Sequence, residues 1–274
     1  MHSQVFSVVI KLILIDIDGT LIGTNGVPES AWNALDTAKQ RGTHLALSTG
    51  RIGFGVALEH ARRVSAHGLH IFHSGAVITK VNGPAAYTSD LPTDAYEQLV
   101  EIARREQATL EVYLEDTYYL ETETELTRVH SHHLEMQPIV TDLAKLHGQI
   151  VRAQWVVHED QWPRLLEFTQ ALPGIEISPA TAPWSPGTIF ASVTRSGTSK
   201  ADALIWLAKH YGLEVGEVAM IGDGENDLGA IQAAGLGIAM GNAPEGVKQH
   251  ANHVVANVDD GGFAEAIMFV LMQP

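Results

Sequence analysis

The stretch that decides the fold runs from Val8 to Thr20 and reads VVIKLILIDIDGT. Its first part is apolar and rich in β-branched residues, and it ends in two carboxylates, Asp16 and Asp18, followed by glycine. An apolar run bounded by a turn signal is typical of a strand that is buried on both faces of a parallel sheet. We therefore predict a strand over Val8–Ile15 that brings both carboxylates to the carboxyl edge of such a sheet.

The sequence that follows alternates between strand and helix patterns. In the N-terminal third of the chain we predict helices over Glu29–Arg41 and Phe54–Ala66, strands over His44–Ser48 and His70–Phe72, and a hairpin of Val77–Lys80 with Ala85–Thr88 about Asn82-Gly83. Toward the C-terminus we predict helices over Lys200–Tyr211, Asp227–Ala234 and Phe263–Leu271, and strands over Glu217–Ile221 and Leu236–Met240. This alternation predicts an α/β fold, a doubly wound parallel Rossmann-like sheet.

The middle of the chain has a different pattern, in which hairpins stand beside helices. We predict helices over Asp94–Glu106 and Trp162–Leu172, strands over Leu110–Leu114, Tyr118–Glu121, Ile150–Val157, Ile175–Ser178 and Ile189–Thr194, and a Pro-rich loop over Pro179–Pro186. The pattern predicts a separate α+β domain inserted at residues 85–192, which divides the first fold into a discontinuous core at residues 1–84 and 193–274.

Composition excludes several classes of function. The net charge of −15 disfavours attraction to nucleic acid or to an anionic membrane surface. The chain has no cysteine, so disulfides and thiolate metal sites are excluded. The apolar run at Val5–Ile15 lacks a basic leader and a cleavage site, and it continues into Asp16, so we interpret it as a strand and not as a signal peptide. We expect a cytoplasmic protein with no membrane partner.

Three further stretches carry polar residues of the kind found in Asp16–Thr20. They are Ser48-Thr49-Gly50-Arg51, Thr198-Ser199-Lys200 and Gly222-Asp223-Gly224-Glu225-Asn226-Asp227. The first and last of them follow predicted strands, and the middle one opens a predicted helix. Ligands of open parallel sheets bind beyond the carboxyl ends of the strands. All four stretches are therefore expected to meet at one edge of one sheet.

The residue types in these stretches fit phosphoryl transfer. Asp16 and Asp18 are two residues apart, which places both carboxylates on the same side of an extended backbone. Oxygen ligands without cysteine or histidine suit a hard cation, and Mg²⁺ is the usual partner of phosphate. One carboxylate can attack phosphorus while another moves the proton of the leaving oxygen. Thr49 supplies a hydroxyl, and Lys200 supplies a positive charge for phosphate oxygens.

Together the four stretches resemble those of the haloacid dehalogenase (HAD) superfamily, and most closely the Cof-type phosphatases of its subclass IIB. Residues of about 10–84 and 193–270 carry the resemblance, including Gly235–Ala243. By its position and size, the inserted segment at residues 85–192 resembles the α+β cap domain of subclass IIB, which implies that residues 1–84 and 193–274 form the catalytic core. It implies Asp16 as nucleophile and Asp18 as general acid/base. It also implies phosphate contacts from Thr49, Lys200 and Asn226, and a Mg²⁺ site built from Asp16, Asp18, Asp223 and Asp227, with Asp227 in a supporting position.

The resemblance implies a Mg²⁺-dependent phosphatase that acts on a small phosphorylated metabolite, with a sugar phosphate as the first candidate, through an aspartyl-phosphate. Two alternatives remain open at this point: a phosphotransferase or mutase of the same superfamily, and a catalytically silent protein that binds a phosphometabolite. We expect a monomer or a homodimer. Ser74-Gly75-Ala76 departs from the Asn-Gly-Ala that is common in related proteins, so a leaving-group contact there is in question.

His130, His132 and His133 form the one histidine cluster that could suggest a second metal site. No acidic residue stands near them at ligand spacing in the sequence. We therefore interpret the three histidines as part of a solvated helix face.

Overall fold

The computed structural model describes residues 9–182 and 184–273 of the chain. It contains two compact units, each described separately below. The core unit comprises Met1–Arg51, Val56–Ala86 and Ser199–Pro274, and the inserted unit comprises Ile52–Gly55 and Tyr87–Thr198. The limits that the sequence predicts for the inserted domain, residues 85–192, remain a proposal. Within the described residues, no helix has the length and apolar character needed to cross a membrane.

The helices and strands follow one another in a mixed α/β order. The strands are β1 Leu12–Ile15, β2 His44–Leu47, β3 Leu69–Phe72, β4 Val77–Lys80, β5 Ala85–Thr88, β6 Leu110–Tyr113, β7 Tyr118–Leu120, β8 Ile139–Val140, β9 Arg152–His158, β10 Ile175–Ala182, β11 Ser185–Arg195, β12 Val218–Gly222, β13 Leu236–Ala239 and β14 His253–Val254. The helices are α1 Glu29–Gln40, α2 Gly55–Ser65, α3 Thr93–Glu106, α4 Glu125–Leu134, α5 Trp162–Gln170, α6 Lys200–His210, α7 Leu228–Ala233, α8 Glu245–Lys248 and α9 Gly262–Met272.

The central sheet of the core unit is parallel and has the order β14-β13-β12-β1-β2. All four residues of β1 are buried, as expected for the middle strand of a sheet that is covered on both faces. A parallel bridge between Ser48 and Ile71 places β3 beside the end of β2. The chain moves outward from β1 in one direction through β2 and in the other through β12. The predicted doubly wound α/β fold is confirmed, and its topological switch point lies between β1 and β12.

The inserted unit is an α+β layer with a six-stranded sheet of order β10-β11-β9-β6-β7-β8. The pairs β10–β11, β11–β9, β9–β6 and β6–β7 are antiparallel, and β7–β8 is parallel. Alternate residues of β9, such as Trp155, belong to one apolar cluster with Leu99 of α3 and Leu165 of α5. This period-two pattern buries one face of the sheet against these helices.

The predicted loop over Pro179–Pro186 is wrong. Pro179 lies inside β10, and Pro186 lies inside β11, which pairs with β10 as a long hairpin. A central strand forms hydrogen bonds with a neighbour on each side, and a proline has no backbone N–H to donate to either of them. Two prolines in this segment therefore favoured a loop over a strand. Pro179 lies in β10, the edge strand, which pairs only with β11, so its missing N–H costs no hydrogen bond to a second neighbour. Pro186 lies near the hairpin end of β11, before the pairing with β9 begins at Thr188.

The interpretation of His130 as part of a solvated helix face is also wrong. His130 is only 5% exposed, and its Nδ1 lies 2.9 Å from Oε2 of Glu111, a fully buried residue of β6. Glu111 also accepts a hydrogen bond of 2.5 Å from the hydroxyl of Tyr113. The partner of His130 is not a close neighbour in the sequence, because Glu111 lies 19 residues earlier on a strand. This pair attaches α4 to the sheet.

Candidate active site

Three of the sequence-predicted side chains follow the carboxyl ends of neighbouring parallel strands. Asp16 comes directly after β1, Thr49 lies two residues after β2, and Asp223 comes directly after β12. The N–H of Asp16 still donates to the carbonyl of Ile221, so its position is fixed by the β1–β12 ladder. The side chains therefore assemble at the switch point, where open α/β sheets bind their ligands.

Lys200 places a positive charge between two acidic side chains of the site, Asp16 and Asp227. Its side chain is fully buried, and its Nζ donates to Oδ1 of Asp16 at 2.6 Å and to Oδ1 of Asp227 at 2.5 Å. A lysine is almost never fully buried unless it is paired in this way. The sequence predicted a charge for phosphate at Lys200 but not these two carboxylate partners.

The backbone before Lys200 is held by a close approach to Gly75. A Cβ atom on Gly75 would lie 2.2 Å from the carbonyl oxygen of Ser199, and the φ of Gly75 is +112°. Only glycine meets both conditions. Ser199 caps α6 by accepting the N–H of Asp202 at 3.2 Å. These contacts fix the start of α6 and thereby direct the lysine toward Asp16.

Asp227 uses both carboxylate oxygens inside the protein. Oδ1 accepts the ammonium of Lys200, and Oδ2 accepts the backbone N–H groups of Asp223 and Gly224 at 3.1 and 2.9 Å. A side chain on Gly222 would collide with Asp227, because its Cβ would lie 2.5 Å from the Cγ. Asp227 thus holds the loop that carries Asp223, which fits a supporting position better than a direct metal ligand.

Asp223 lies at the edge of the buried cluster and has both of its oxygens hydrogen-bonded. The hydroxyl of Thr20 donates to Oδ1 at 3.1 Å, and the amide of Asn242 donates to Oδ2 at 3.0 Å. Gly19 passes so close that a Cβ would lie 2.2 Å from Oδ2. The sequence analysis gave no role to Thr20 or Asn242, although both lie in stretches that carry the family resemblance.

The charges of this cluster do not balance by themselves. The pKa of Asp16 is raised to about 8, mainly by burial and in part by the charges of Asp227 and Asp223, against the lowering effect of Lys200. Burial alone would lower the pKa of Lys200, but Asp16 and Asp227 outweigh it, so the pKa is raised and the amine stays charged. Burial likewise raises the pKa of Asp223. Three carboxyl groups thus share one ammonium, and ionisation of all three would leave the cluster short of positive charge.

The same three carboxylates fit a divalent metal ion. Asp16, Asp223 and Asp227 each offer an oxygen, and the three oxygens lie within 4.8 Å of one another. Within residues 9–182 and 184–273, this is the only acidic or histidine group with such spacing. An all-oxygen donor set is the chemistry of Mg²⁺ rather than of zinc or copper. Asp16 and Asp223 are better placed to bind the ion than Asp227. One oxygen of Asp227 accepts the Lys200 ammonium and the other accepts two backbone N–H groups, whereas each oxygen of Asp223 accepts one uncharged donor.

Asp18 lies outside this group and has a different partner. Nε and Nη2 of Arg51 donate to Oδ2 and Oδ1 of Asp18 at 2.7 and 2.6 Å, a bidentate pair. The carboxylate of Asp18 is 56% exposed, whereas that of Asp16 is 9% exposed. The structure therefore separates the two carboxylates of the Asp-x-Asp motif into a buried one and an accessible one. The sequence analysis did not assign Arg51 to Asp18.

The predicted phosphate-binding residues surround the loop that follows β2. Thr49 is buried, and its hydroxyl accepts the N–H of Arg51 at 3.1 Å. A Cβ on Gly50 would lie 3.1 Å from Oγ of Ser74 and 3.7 Å from Nδ2 of Asn226. Asn226 is exposed. Hydroxyl and amide groups thus lie around one glycine of this loop.

Ser74 has a left-handed backbone conformation, with φ 54° and ψ 28°. Asparagine tolerates this region better than serine, for which it costs on the order of 1 kcal/mol. We predict that Ser74→Asn raises the free energy of unfolding by about 0.5 kcal/mol, and that Ser74→Ala does not. Urea unfolding of the metal-free protein measures both. If Ser74→Asn and Ser74→Ala are equally stable, backbone strain at this position has no measurable cost.

Comparison with known proteins identifies the family. The model for haloacid dehalogenase-like hydrolases matches residues 13–267. The Bacillus subtilis protein 5-amino-6-(5-phospho-D-ribitylamino)uracil phosphatase YitU is 25% identical over 272 residues, which cover 92% of this chain and 94% of that protein. YcsE, a second B. subtilis phosphatase that is named for the same substrate, is 27% identical over 263 residues, which cover 95% of this chain and 96% of that protein.

Solved structures agree with this match. BT1666 of Bacteroides thetaiotaomicron, a phosphatase of the HAD enzyme superfamily, has a TM-score of 0.81 and 25% identity, and the alignment covers 98% of both chains. The subclass IIB sugar phosphatase BT4131 has a TM-score of 0.78 and 24% identity, with 94% of this chain and 98% of that chain covered, and it supports the fold alone. The resemblance inferred from the motifs is confirmed, as is the prediction of a HAD-type phosphatase. The chain belongs to the haloacid dehalogenase-like hydrolases.

Proposed function

We propose that this chain is a Mg²⁺-dependent phosphatase that hydrolyses a small phosphorylated metabolite, with a sugar phosphate as the first candidate class, through a phosphoryl group carried on Asp16. One observation carries the proposal: the buried carboxylate of Asp16 lies against the ammonium of Lys200 at the switch point of the sheet. A nucleophile for phosphorus and a charge for the transferred oxygens are thereby adjacent.

The relatives support the substrate class. YitU and YcsE are named as phosphatases of a phosphorylated ribityl compound, and BT4131 is described as a sugar phosphatase. In each case the phosphate is carried on a sugar or a sugar-derived chain. A phosphomonoester of a small polyhydroxylated molecule is the class that these names share.

In the first half-reaction, a carboxylate oxygen of Asp16 forms a bond to phosphorus, and the bond between phosphorus and the ester oxygen breaks. Asp18 donates its proton to that oxygen, so a neutral alcohol leaves. The accessible position of Asp18 fits this role, because a general acid must reach the departing group, whereas a nucleophile must be fixed.

In the second half-reaction, Asp18 is a carboxylate and takes a proton from water. The water oxygen bonds to phosphorus, the acyl-phosphate bond breaks, and Asp16 is regenerated with inorganic phosphate as the second product. Protons and atoms balance over the cycle, because Asp18 returns to its acid form. No further reactant is needed.

Three other side chains hold the phosphoryl group in this proposal. Lys200 and the hydroxyl of Thr49 bind its oxygens, and Asn226 donates from the exposed side of the site. Asp16 and Asp223, with Asp227 in support, would bind Mg²⁺, which supplies positive charge for the oxygens of phosphate. Asp16 carries a raised pKa without the ion, so a bound cation would also favour its reactive carboxylate form.

Asp18→Asn provides a test that depends on the leaving group. We expect the single-turnover rate constant for an alkyl ester such as glycerol phosphate to fall about 10²- to 10⁴-fold, because its alkoxide must be protonated as it departs. The loss for p-nitrophenyl phosphate should be smaller, since nitrophenolate leaves without a proton. Both rates should be measured under single-turnover conditions, so that loss of water activation does not mask the first step.

The matched control for this test is Asp36→Asn, an exposed aspartate in a surface pair with Lys39. This control should leave both rates unchanged. If Asp18→Asn lowered the rate by the same factor for both esters, the role of Asp18 as general acid would be contradicted. The role of Asp16 as nucleophile would not be affected by that result.

A further inference from the structure

We propose that Asn242, together with Thr20, positions Asp223 for the metal ion. The proposal rests on the metal-dependent function above. Asn242 and Thr20 do not bind the ion themselves; they raise the affinity of the site for Mg²⁺ by holding Asp223 in place. Asn242 donates one N–H to Oδ2 of Asp223 at 3.0 Å, and Thr20 donates to Oδ1 at 3.1 Å. The carboxylate is therefore held at both oxygens by uncharged donors.

The orientation of the Asn242 amide is determined by its other contacts. Its Oδ1 accepts the backbone N–H of Val258 at 3.0 Å, and its Nδ2 also donates to the carbonyl of Gly19 at 2.8 Å. A flipped amide would place oxygen against the Gly19 carbonyl and the Asp223 carboxylate, so it would lose all three hydrogen bonds. The N–H groups must therefore face Asp223.

Asn242 also connects three separate segments of the core unit. Gly19 follows β1, Asp223 follows β12, and Val258 lies in the last turn before α9. A single side chain that bonds to all three fixes the distance between the β1 loop and the β12 loop. Because Asp16 and Asp223 come from these same two loops, this distance determines how far apart the two candidate ligands stand.

Neutral donors suit this position for an electrostatic reason. Asp223 lies beside the other carboxylates of the site, so it needs hydrogen-bond donors to hold it there before the ion binds. A lysine or arginine would provide such donors but would compete with the cation by its own charge. An amide and a hydroxyl orient the carboxylate and leave its charge for the ion. A carboxylate has about four acceptor sites, so two remain for the metal.

The test is direct Mg²⁺ binding to the free protein by isothermal titration calorimetry. Asn242→Ala and Thr20→Val should each raise the dissociation constant for Mg²⁺ about 10-fold or more, the size of effect typical of residues that orient metal ligands. The control is Asn257→Ala, an asparagine of the same region whose side chain accepts the N–H of Asp259. This control should bind Mg²⁺ as the wild type does.

A second measurement separates positioning from general damage to the structure. In steady-state assays, kcat of both variants should recover toward the wild-type value at saturating Mg²⁺, with the KM for the phosphate ester little changed. Thr20→Val preserves side-chain shape, so it tests the proposal even if Asn242→Ala does not fold.

Wild-type affinity for Mg²⁺ in both variants would overturn the proposal, as would a loss of kcat that excess Mg²⁺ does not restore. If the wild-type protein itself bound no Mg²⁺, the metal-dependent function would fall together with this inference. The two failures are therefore distinguishable in one titration series.

Discussion

Asp16→Asn is expected to lower kcat for a generic phosphate ester by about 10⁴-fold or more, as loss of a covalent nucleophile does. The amide that replaces the carboxylate has almost the same shape but cannot attack phosphorus. It still offers one oxygen to the ammonium of Lys200, which donates to Oδ1 of Asp16 in the wild type. The measurement is kcat with Mg²⁺ at saturating ester, for the wild type and the variant.

Stability should change little in the same variant. The pKa of Asp16 is raised to about 8 by burial, so the metal-free wild type carries a neutral acid at pH 7 that asparagine imitates. Thermal unfolding in EDTA should therefore give similar midpoints for wild type and variant. Substantial retained activity in a folded Asp16→Asn protein would contradict the assignment of the nucleophile.

Lys200→Met is expected to affect both stability and catalysis. The substitution removes the ammonium from between Asp16 and Asp227 and leaves the carboxylate of Asp227 and the carboxyl group of Asp16 buried without their cation. Breaking a buried pair in this way costs about 3 to 5 kcal/mol of unfolding free energy. We expect kcat to fall about 10²- to 10³-fold as well, because a donor to the transferred oxygens is lost. Urea unfolding in EDTA and steady-state kinetics measure the two effects.

The stability loss should depend on pH in a defined direction. The ordinary pKa of Asp16 is 3.8 and its folded-state pKa is about 8, so between these values the folded state binds more protons than the unfolded state. Stability from this group therefore falls as pH rises through that window. In the wild type, Lys200 lowers the pKa of Asp16 and so reduces this loss of stability. Without the ammonium the loss is larger, so Lys200→Met should lower the free energy of unfolding more at pH 8 than at pH 5.

Lys209→Met is the matched control, because Lys209 is an exposed lysine near the other end of α6. This control should leave kcat unchanged and alter stability by well under 1 kcal/mol. A loss for Lys200→Met that was no greater than for Lys209→Met would show that the buried pair is not important for stability.

The sequence predicted the position of the site better than its internal contacts. Asp16, Thr49 and Asp223 follow apolar strands, and parallel topology brings strand ends to one edge whatever the rest of the chain does. The partners of Lys200 depend on how the start of α6 packs at Gly75, where Ser199 comes into contact with the glycine. No local pattern contains that information. For the same reason the Asp18–Arg51 pair and the two donors to Asp223 were found only in the structure.

The errors in the inserted unit have the same physical origin. Whether Pro179 ends a strand depends on whether β10 lies at an edge of the sheet, and the order of strands is a tertiary property. Whether His130 faces solvent depends on Glu111, a residue on another element. Local propensity and periodicity describe one element at a time, and they do not give the neighbours of that element.

The most direct test of the central claim is to trap the phosphorylated enzyme. A ³²P-labelled phosphate ester is mixed with the wild-type protein and Mg²⁺, quenched in acid within the first turnover, digested and mapped by mass spectrometry. We predict a phosphoryl group on the carboxylate of Asp16, labile to base and to hydroxylamine and absent from Asp16→Asn. Label on another residue, or hydrolysis at the normal rate with no label on the protein in the first turnover, would contradict the proposed mechanism.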